Sequence, residues 1–139
     1  GDEAIMKAGN FGTESPFTNH VMPPCSPDVI IVEDMVIHVG NLTLHAYRMP
    51  GHTEGSVLYH MVLDKEEIIF SGDMFFADGE TGEAAFTGWK GDMTYNGSLL
   101  LESFQRLWKL QLHADIVAGG HGIPVIGEHA DQIIMLAYK

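Results

Sequence analysis

The feature that most constrains the fold is a series of short apolar runs, each bounded by glycine, proline or charged residues. Such runs, enriched in β-branched and aromatic residues, are typical of β-strands. Gly40 and Asn41 separate two of them and predict a tight hairpin, because both residues tolerate a positive φ. Strands are predicted at residues 29–32, 35–39, 42–47, 56–63, 68–70 and 115–118.

Two stretches near the C-terminus carry helical periodicity instead. One helix is predicted at 98–112, where apolar residues recur on a single stripe and charged residues fall outside it. Asn96 or Ser98 is suited to cap its start. A shorter helix is predicted at 128–138. Because helices that follow a set of strands pack on the sheet, the predicted fold class is α/β (α+β layered), a mixed sheet with helices on one face.

Length and composition indicate one globular domain with an irregular start. The chain has 139 residues, of which 45% are hydrophobic and 19% are charged, and this is an ordinary globular balance. Glycine and proline are dense before residue 28, so residues 1–27 are predicted to be an irregular N-terminal segment and 28–139 the folded domain. The stretch 76–97, rich in glycine and acidic residues, is predicted to be a long loop.

Charge and cysteine content exclude several functional classes. The 7 Lys and Arg residues against 19 Asp and Glu give a formal charge of −12. This field repels nucleic acids and anionic membranes and suits metal cations. Cys25 is the single cysteine, so no intrachain disulfide can form. No apolar run approaches the ~20 residues that cross a bilayer, and the first residues lack a signal-peptide pattern, so a cytoplasmic location is expected.

Three polar residues share a setting that suggests a common site. His52, Asp73 and His121 each follow a predicted strand, and each has a glycine neighbour that lets the backbone turn sharply and leaves room for a ligand. Taken singly, such a segment is more often an ordinary turn or a helix cap. Strand-end loops on one sheet edge can converge, however, and a His/Asp set without cysteine pairs favours zinc, iron or manganese over calcium.

The segments around these residues carry a family resemblance. Residues 50–57 are PGHTEGSV, residues 70–76 are FSGDMFF, and residues 118–122 are AGGHG. In this order they resemble the PGHTxGS, strand-then-GD and PGHG segments of metallo-β-lactamase-fold hydrolases, with Gly119 in place of the usual proline. The resemblance extends over about residues 28–139 and implies one half of an αββα sandwich, in which two αβ halves pack their sheets face to face.

The resemblance also implies a role for each of the three residues. His52 would complete the three-histidine site of a first metal ion, Asp73 would bridge two metal ions, and His121 would bind the second. In such hydrolases a metal-bound hydroxide attacks an ester, thioester, amide or phosphoester bond. The implied cofactor is zinc, with iron or manganese as alternatives, and the implied substrate is a small molecule.

One element of the family pattern is absent from this chain. The HxHxDH motif, which supplies most of the other metal ligands, does not occur in the sequence. Two interpretations follow: a truncated or partial metal-dependent hydrolase, inactive or weakly active as a lone chain, or a non-catalytic half-fold that assembles as a homodimer. In both, the sheet is expected to expose an apolar face that a second copy of the chain or a separate N-terminal half must cover.

Overall fold

The computed structural model describes residues 2–9, 23–77, 85–87 and 94–138. After residue 34 these ranges follow the predicted order of several strands, a helix, a strand and a helix, and they add a helix near the N-terminus and three strands of two residues each. The elements are α1 (Glu3–Ala8), β1 (Met35–Val39), β2 (Leu42–Arg48), β3 (Val57–Leu63), β4 (Glu66–Gly72), β5 (Phe76–Ala77), β6 (Ala85–Phe86), α2 (Gly97–Leu110), β7 (Ile116–Gly119), β8 (Val125–Ile126) and α3 (Ala130–Tyr138).

Six strands form one mixed sheet in the order β1-β2-β3-β4-β7-β8. Neighbouring strands are antiparallel except β4 and β7, which run parallel. A parallel pair needs a long crossover connection, and α2 lies within the one between these strands. β5 and β6 pair separately as a two-stranded ribbon. The predicted fold class, a mixed sheet with helices, is confirmed.

Five of the six predicted strands are present, with ends shifted by at most two residues. The hairpin is confirmed, and Gly40 at its turn has a φ of +62°. The prediction for 29–32 is wrong, because this run forms no strand. The Arg48 guanidinium instead donates a hydrogen bond to the Val32 carbonyl at 3.1 Å, so that carbonyl is occupied by a side chain rather than by a neighbouring strand.

The N-terminal segment is partly helical rather than wholly irregular. The helix α1 occupies residues that the prediction for 1–27 assigned to irregular structure. Its sequence EAIMKA contains good helix formers, and Glu3 pairs with Lys7 one turn later. Residues 10–22 lie outside the described part of the chain, and the domain boundary at residue 28 stays a prediction.

The predicted loop at 76–97 contains the ribbon formed by β5 and β6. These strands have two residues each, which is too short to leave a periodic pattern in the sequence. Residues 78–84 and 88–93 of this stretch lie outside the described residues.

The helices cover one face of the sheet and form the core with it. Leu58 and Ile69 of the sheet belong to one buried cluster with Leu100, Phe104 and Leu107 of α2. Burial of each such side chain contributes roughly 1.5–3 kcal/mol. The predicted cap is confirmed at Asn96, whose side chain accepts hydrogen bonds from two backbone N–H groups of the first turn at 3.0 and 3.1 Å. Among the described residues, no helix is long and apolar enough to cross a membrane.

The opposite face of the sheet, which we call the second face, is also apolar. Residues paired across neighbouring strands project to the same side, so the strand pairing sets two rows of five apolar residues across this face. None of the ten belongs to the core cluster that the described residues form beneath the helices, although Ala46 and Met61 are themselves buried. The rows are Met35, Ala46, Tyr59, Phe70 and Ala118, and Ile37, Leu44, Met61, Ile68 and Ile116.

Candidate metal centre

The strand directions bring the three predicted site residues to one edge of the sheet. β2 and β4 are both antiparallel to β3, and β4 is parallel to β7, so β2, β4 and β7 end at the same edge. His52 lies in the loop after β2, Asp73 directly follows β4, and His121 lies two residues beyond β7. The topology therefore places all three side chains within reach of one another.

The side chains of these residues converge on a single atom. The Nε2 atoms of His52 and His121 each lie 3.4 Å from Oδ2 of Asp73. This separation is longer than the usual ~2.7–3.2 Å of an N–H···O hydrogen bond. It matches the roughly 3.3–3.4 Å between two ligands of a tetrahedral zinc ion with bonds of about 2.0–2.1 Å. The predicted convergence of the three side chains is confirmed.

The cluster is buried on one side and open on the other. The exposed fractions of the side chains are 16% for His52, 28% for Asp73 and 66% for His121. The imidazole of His121 meets the ring of Phe76 edge-on, with 5.3 Å between the ring centroids. A ligand can therefore approach from the His121 side without moving the buried His52.

The loop that carries His52 is held by its own hydrogen bonds and by α2. The Gly51 backbone N–H donates to the Thr53 carbonyl at 2.9 Å, and the Thr53 N–H donates to Oγ of Ser56 at 3.0 Å. From α2, the Ser103 hydroxyl donates to the Pro50 carbonyl at 2.7 Å. These bonds fix the backbone on both sides of His52, which is why this sequence makes a defined turn here.

The glycines beside the site leave room for its side chains. A Cβ atom on Gly120 would lie 2.1 Å from Oδ1 of Asp73, and one on Gly119 would lie 2.4 Å from Cβ of Phe76. The Gly120 N–H also donates to the Gly72 carbonyl at 2.8 Å, which ties the loop after β7 to the end of β4. Glycine is therefore required beside this site for a steric reason, since a side chain at either position would collide with Asp73 or Phe76.

The donor set fits part of a metal site. Two imidazole nitrogens and one carboxylate oxygen are the ligand types that zinc binds in hydrolases. No group of three or more His, Cys, Asp or Glu side chains in the described ranges is arranged to hold a metal ion by itself. The donor types therefore suit zinc, but the three side chains do not form a metal-binding group by themselves. Nδ1 of His52 is buried and lacks a hydrogen-bond partner among the described residues.

A second ionisable cluster was missed by the sequence reasoning. His113 lies between α2 and β7, and its two ring nitrogens face the carboxylates of Asp115 and Asp131. Asp131 is distant along the chain, in the first turn of α3. No spacing rule could have identified this contact, because it depends on how α3 packs against the sheet.

Solved structures similar to this chain share its fold. The chain superposes on the BLEG-1 B3 metallo-β-lactamase with a TM-score of 0.69 and 24% identity, covering 90% of this chain and 56% of that one. For the MIM-2 metallo-β-lactamase the TM-score is 0.59, with 18% identity and coverage of 94% and 53%. For ETHE1 from Myxococcus xanthus these values are 0.57, 21%, 80% and 48%. The chain therefore has the metallo-β-lactamase fold and spans about half the length of these structures.

Two curated relatives match shorter parts of the chain. The acyl-coenzyme A thioesterase MBLAC2 of Gallus gallus is 39% identical over 56 residues, which are 40% of this chain and 19% of the relative. The hydroxyacylglutathione hydrolase of Pseudomonas entomophila (strain L48) is 35% identical over 52 residues, which are 37% of this chain and 20% of the relative. The matches thus span about a fifth of each relative's length. No protein-family model matches the chain.

Proposed function

We propose that this chain contributes His52, Asp73 and His121 to the metal centre of a metallo-β-lactamase-like hydrolase. The observation that carries the proposal is the convergence of two imidazole Nε2 atoms on one oxygen of Asp73, each at 3.4 Å. A hydrogen-bonded triad of purely structural use would draw these atoms closer together. Zinc is the proposed metal, with iron or manganese as alternatives, because the donor set is nitrogen and oxygen without thiolate.

Each residue has a distinct part in this proposal. The two imidazoles are neutral when they bind a metal, with the proton on Nδ1 and the lone pair of Nε2 directed at the site. The Asp73 carboxylate contributes Oδ2, the oxygen atom that both imidazoles face. A bound metal would supply the acidity that produces a hydroxide nucleophile near neutral pH. The exposed His121 side of the cluster is the side on which substrate can enter.

The number of ligands limits what the described residues can do alone. A structural zinc site usually has four protein ligands, and a catalytic one has three around a single ion. Here three residues would serve two ions, so metal binding by this chain is proposed to be weak and hydrolysis poor or absent. A ligating histidine also normally gives its second ring N–H to an acceptor, and for His52 the described residues provide none.

The second face of the sheet suggests where the remaining metal ligands come from. We propose that it packs against the other αβ half of the fold, since similar structures contain nearly as much chain again. Such a half would cover the ten apolar residues and bring further metal ligands. A second copy of this chain is the rival occupant, but two chains of charge −12 repel each other.

Acyl thioesters are the first substrates to test. One relative is named as an acyl-coenzyme A thioesterase and the other as a hydroxyacylglutathione hydrolase. We therefore propose a small acylated thiol as substrate, hydrolysed at its acyl bond. The alternative function, a non-catalytic half-fold that assembles as a homodimer, predicts a discrete dimer of the chain that does not hydrolyse acyl thioesters.

Zinc titration of the purified chain tests the metal centre. We expect weak or substoichiometric binding by calorimetry, far below the roughly 10–16 kcal/mol of structural four-ligand zinc sites. His52→Ala and Asp73→Ala should each abolish the measurable heat, since each removes one of three ligands. His129→Ala is the matched control, because this imidazole is exposed and its Nδ1 faces Gln132 at 3.4 Å.

Two results would contradict the proposal. Unchanged zinc binding in both ligand variants would place the metal elsewhere on the acidic surface. Tight binding of two zinc ions by the lone chain would show that three residues are not the whole ligand set of the chain.

Gly120→Ala should weaken zinc binding while leaving the fold intact. The added Cβ would lie 2.1 Å from Oδ1 of Asp73, and this short side chain can rotate away more easily than the backbone can move. We expect zinc affinity to fall about 10- to 100-fold, the range seen when a ligand loses its orientation. Gly97→Ala is the control, because Gly97 has no positive φ and its added Cβ would lie no closer than 3.4 Å to its nearest neighbour, the Tyr95 hydroxyl. Equal affinities for the two variants would exclude Asp73 as a ligand.

A further inference from the structure

His113 bridges two carboxylates from different parts of the fold. Its Nδ1 lies 2.6 Å from Oδ2 of Asp131, and its Nε2 lies 3.0 Å from Oδ1 of Asp115. A neutral imidazole has one N–H and can donate to only one of them, which leaves a lone pair facing the other carboxylate. An imidazolium donates to both. The geometry of the ring therefore selects its protonated form.

The electrostatics of the cluster agree with this geometry. The hydrogen bonds to Asp131 and then to Asp115 raise the pKa of His113 above its ordinary value of 6.5. The Glu67 backbone N–H, followed by the His113 ring, lowers the pKa of the Asp115 carboxyl below 3.8. The His113 side chain is 53% exposed, so solvent screening keeps each of these effects modest.

The two aspartates join the ends of one continuous segment of chain. Asp131 also accepts a hydrogen bond from the Ala114 N–H at 2.7 Å. Asp115 accepts one from the Glu67 N–H at 2.8 Å, and its own N–H donates to the Glu67 carbonyl at 2.8 Å. Residues 116–130, which include β7, His121 and β8, thus leave the sheet edge beside Asp115 and return to it at Asp131.

We propose that His113 is a proton-dependent staple that closes the base of segment 116–130 and fastens the start of α3 to the strands β4 and β7. Closing a loop at its ends reduces the conformations that it samples. The protonated ring adds one such closure by donating to both aspartates at once, and a neutral ring can keep only one of these two hydrogen bonds. This proposal depends only on the contacts of His113, Asp115 and Asp131, and it does not require His121 to bind a metal.

Other ionisable groups near this junction are engaged elsewhere or remote from the ring. The Glu67 side chain on β4 pairs with His60 at 2.9 Å, and the His129 ring faces Gln132. Lys109 in the last turn of α2 and Glu128 before α3 have no described contact with His113. The response to pH in this region is therefore assigned to His113 and its two aspartates.

The sign of the pH effect follows from the raised pKa of His113. Its contribution to stability is fully present below pH 6.5 and is lost as pH rises through the higher pKa of the folded state. The lowered pKa of Asp115 sets the acid limit, because that contribution is lost as pH falls below about 3.8 through the folded value. The staple is strongest in the window between these limits.

Hydrogen exchange of the intact chain at pH 5.5 and pH 9 tests the staple. At pH 5.5, amides at 114–117 and 130–133 should exchange about two- to fivefold faster in His113→Gln than in the wild type, the size expected for exposed charge pairs. At pH 9 the two proteins should exchange alike. His129→Gln is the matched control and should follow the wild type at both values. A His113→Gln effect of equal size at both pH values would overturn the proposal.

A second variant separates charge from backbone capping. Asp131→Asn keeps a side-chain oxygen for the Ala114 N–H but removes the negative charge from the ring. We expect it to reduce the pH dependence of protection at 114–117, because Asp115 alone then faces the ring with a negative charge, while most of the protection itself persists. Wild-type pH dependence in this variant would show that Asp131 does not hold the proton on His113.

Discussion

Gly51→Ala is expected to destabilise the domain by about 2–6 kcal/mol, because backbone strain and overpacking each cost about 1–3 kcal/mol. Gly51 has a φ of +147°, where an alanine is strained. An added Cβ would also lie 2.3 Å from Cα and 2.5 Å from Cβ of Leu100. Neither neighbour is the flexible end of a side chain, so either α2 or the loop must move.

Urea unfolding followed by circular dichroism measures this cost. Gly40→Ala is the matched control, since Gly40 has a φ of +62° and a Cβ there would meet nothing within 4 Å. Gly40→Ala should lower the free energy of unfolding only through its strained backbone conformation, by about 1–2 kcal/mol. If the two variants lose equal stability, the close approach of Gly51 to α2 does not hold in solution.

The same contact explains how α2 positions His52. The Asn96 N–H donates to the Gly51 carbonyl at 2.8 Å, directly before the helix begins. Gly51 therefore joins the start of α2 to the loop in which His52 is the next residue. A stable Gly51→Ala protein, if obtained, should also lose zinc binding, because the displaced loop carries a proposed ligand.

The elements that could be predicted from the sequence are those specified by local rules. The hairpin at Gly40 follows from a turn that tolerates positive φ, and α2 follows from its apolar stripe and the cap at Asn96. The run 29–32 satisfies the same local rule for strands but forms none. Its apolar side chains give no information on whether a neighbouring strand has a free edge, and that is a tertiary property.

The candidate site could be predicted because its residues lie at strand ends. His52, Asp73 and His121 come together once β2, β4 and β7 are parallel, and glycine marks each position. The contact of His113 with Asp131 could not be predicted, because α3 must first pack on the sheet. The implied role of each site residue as a ligand stays a prediction, which the zinc titration addresses.

Phe70→Glu is expected to convert the purified chain from an associated state into a monomer of 15.3 kDa, as measured by light scattering. Phe70 lies in the middle of the second face and is 39% exposed, so a charge there can be solvated without unfolding the sheet. Phe70 is the exposed member of the ten apolar residues of this face, of which Ala46 and Met61 are buried, and an apolar patch that stays exposed marks a site of interaction. Without the proposed αβ half, this face should associate with itself.

Trp108→Glu is the control for this experiment. Trp108 is 55% exposed on α2, away from the second face, so its replacement removes a large exposed apolar group without changing the sheet. This variant should associate as the wild type does. A discrete wild-type dimer that Phe70→Glu dissociates would favour a second copy as the occupant, whereas heterogeneous association favours a missing αβ half. A stable monomer for all three proteins would refute the proposal that the second face needs a partner.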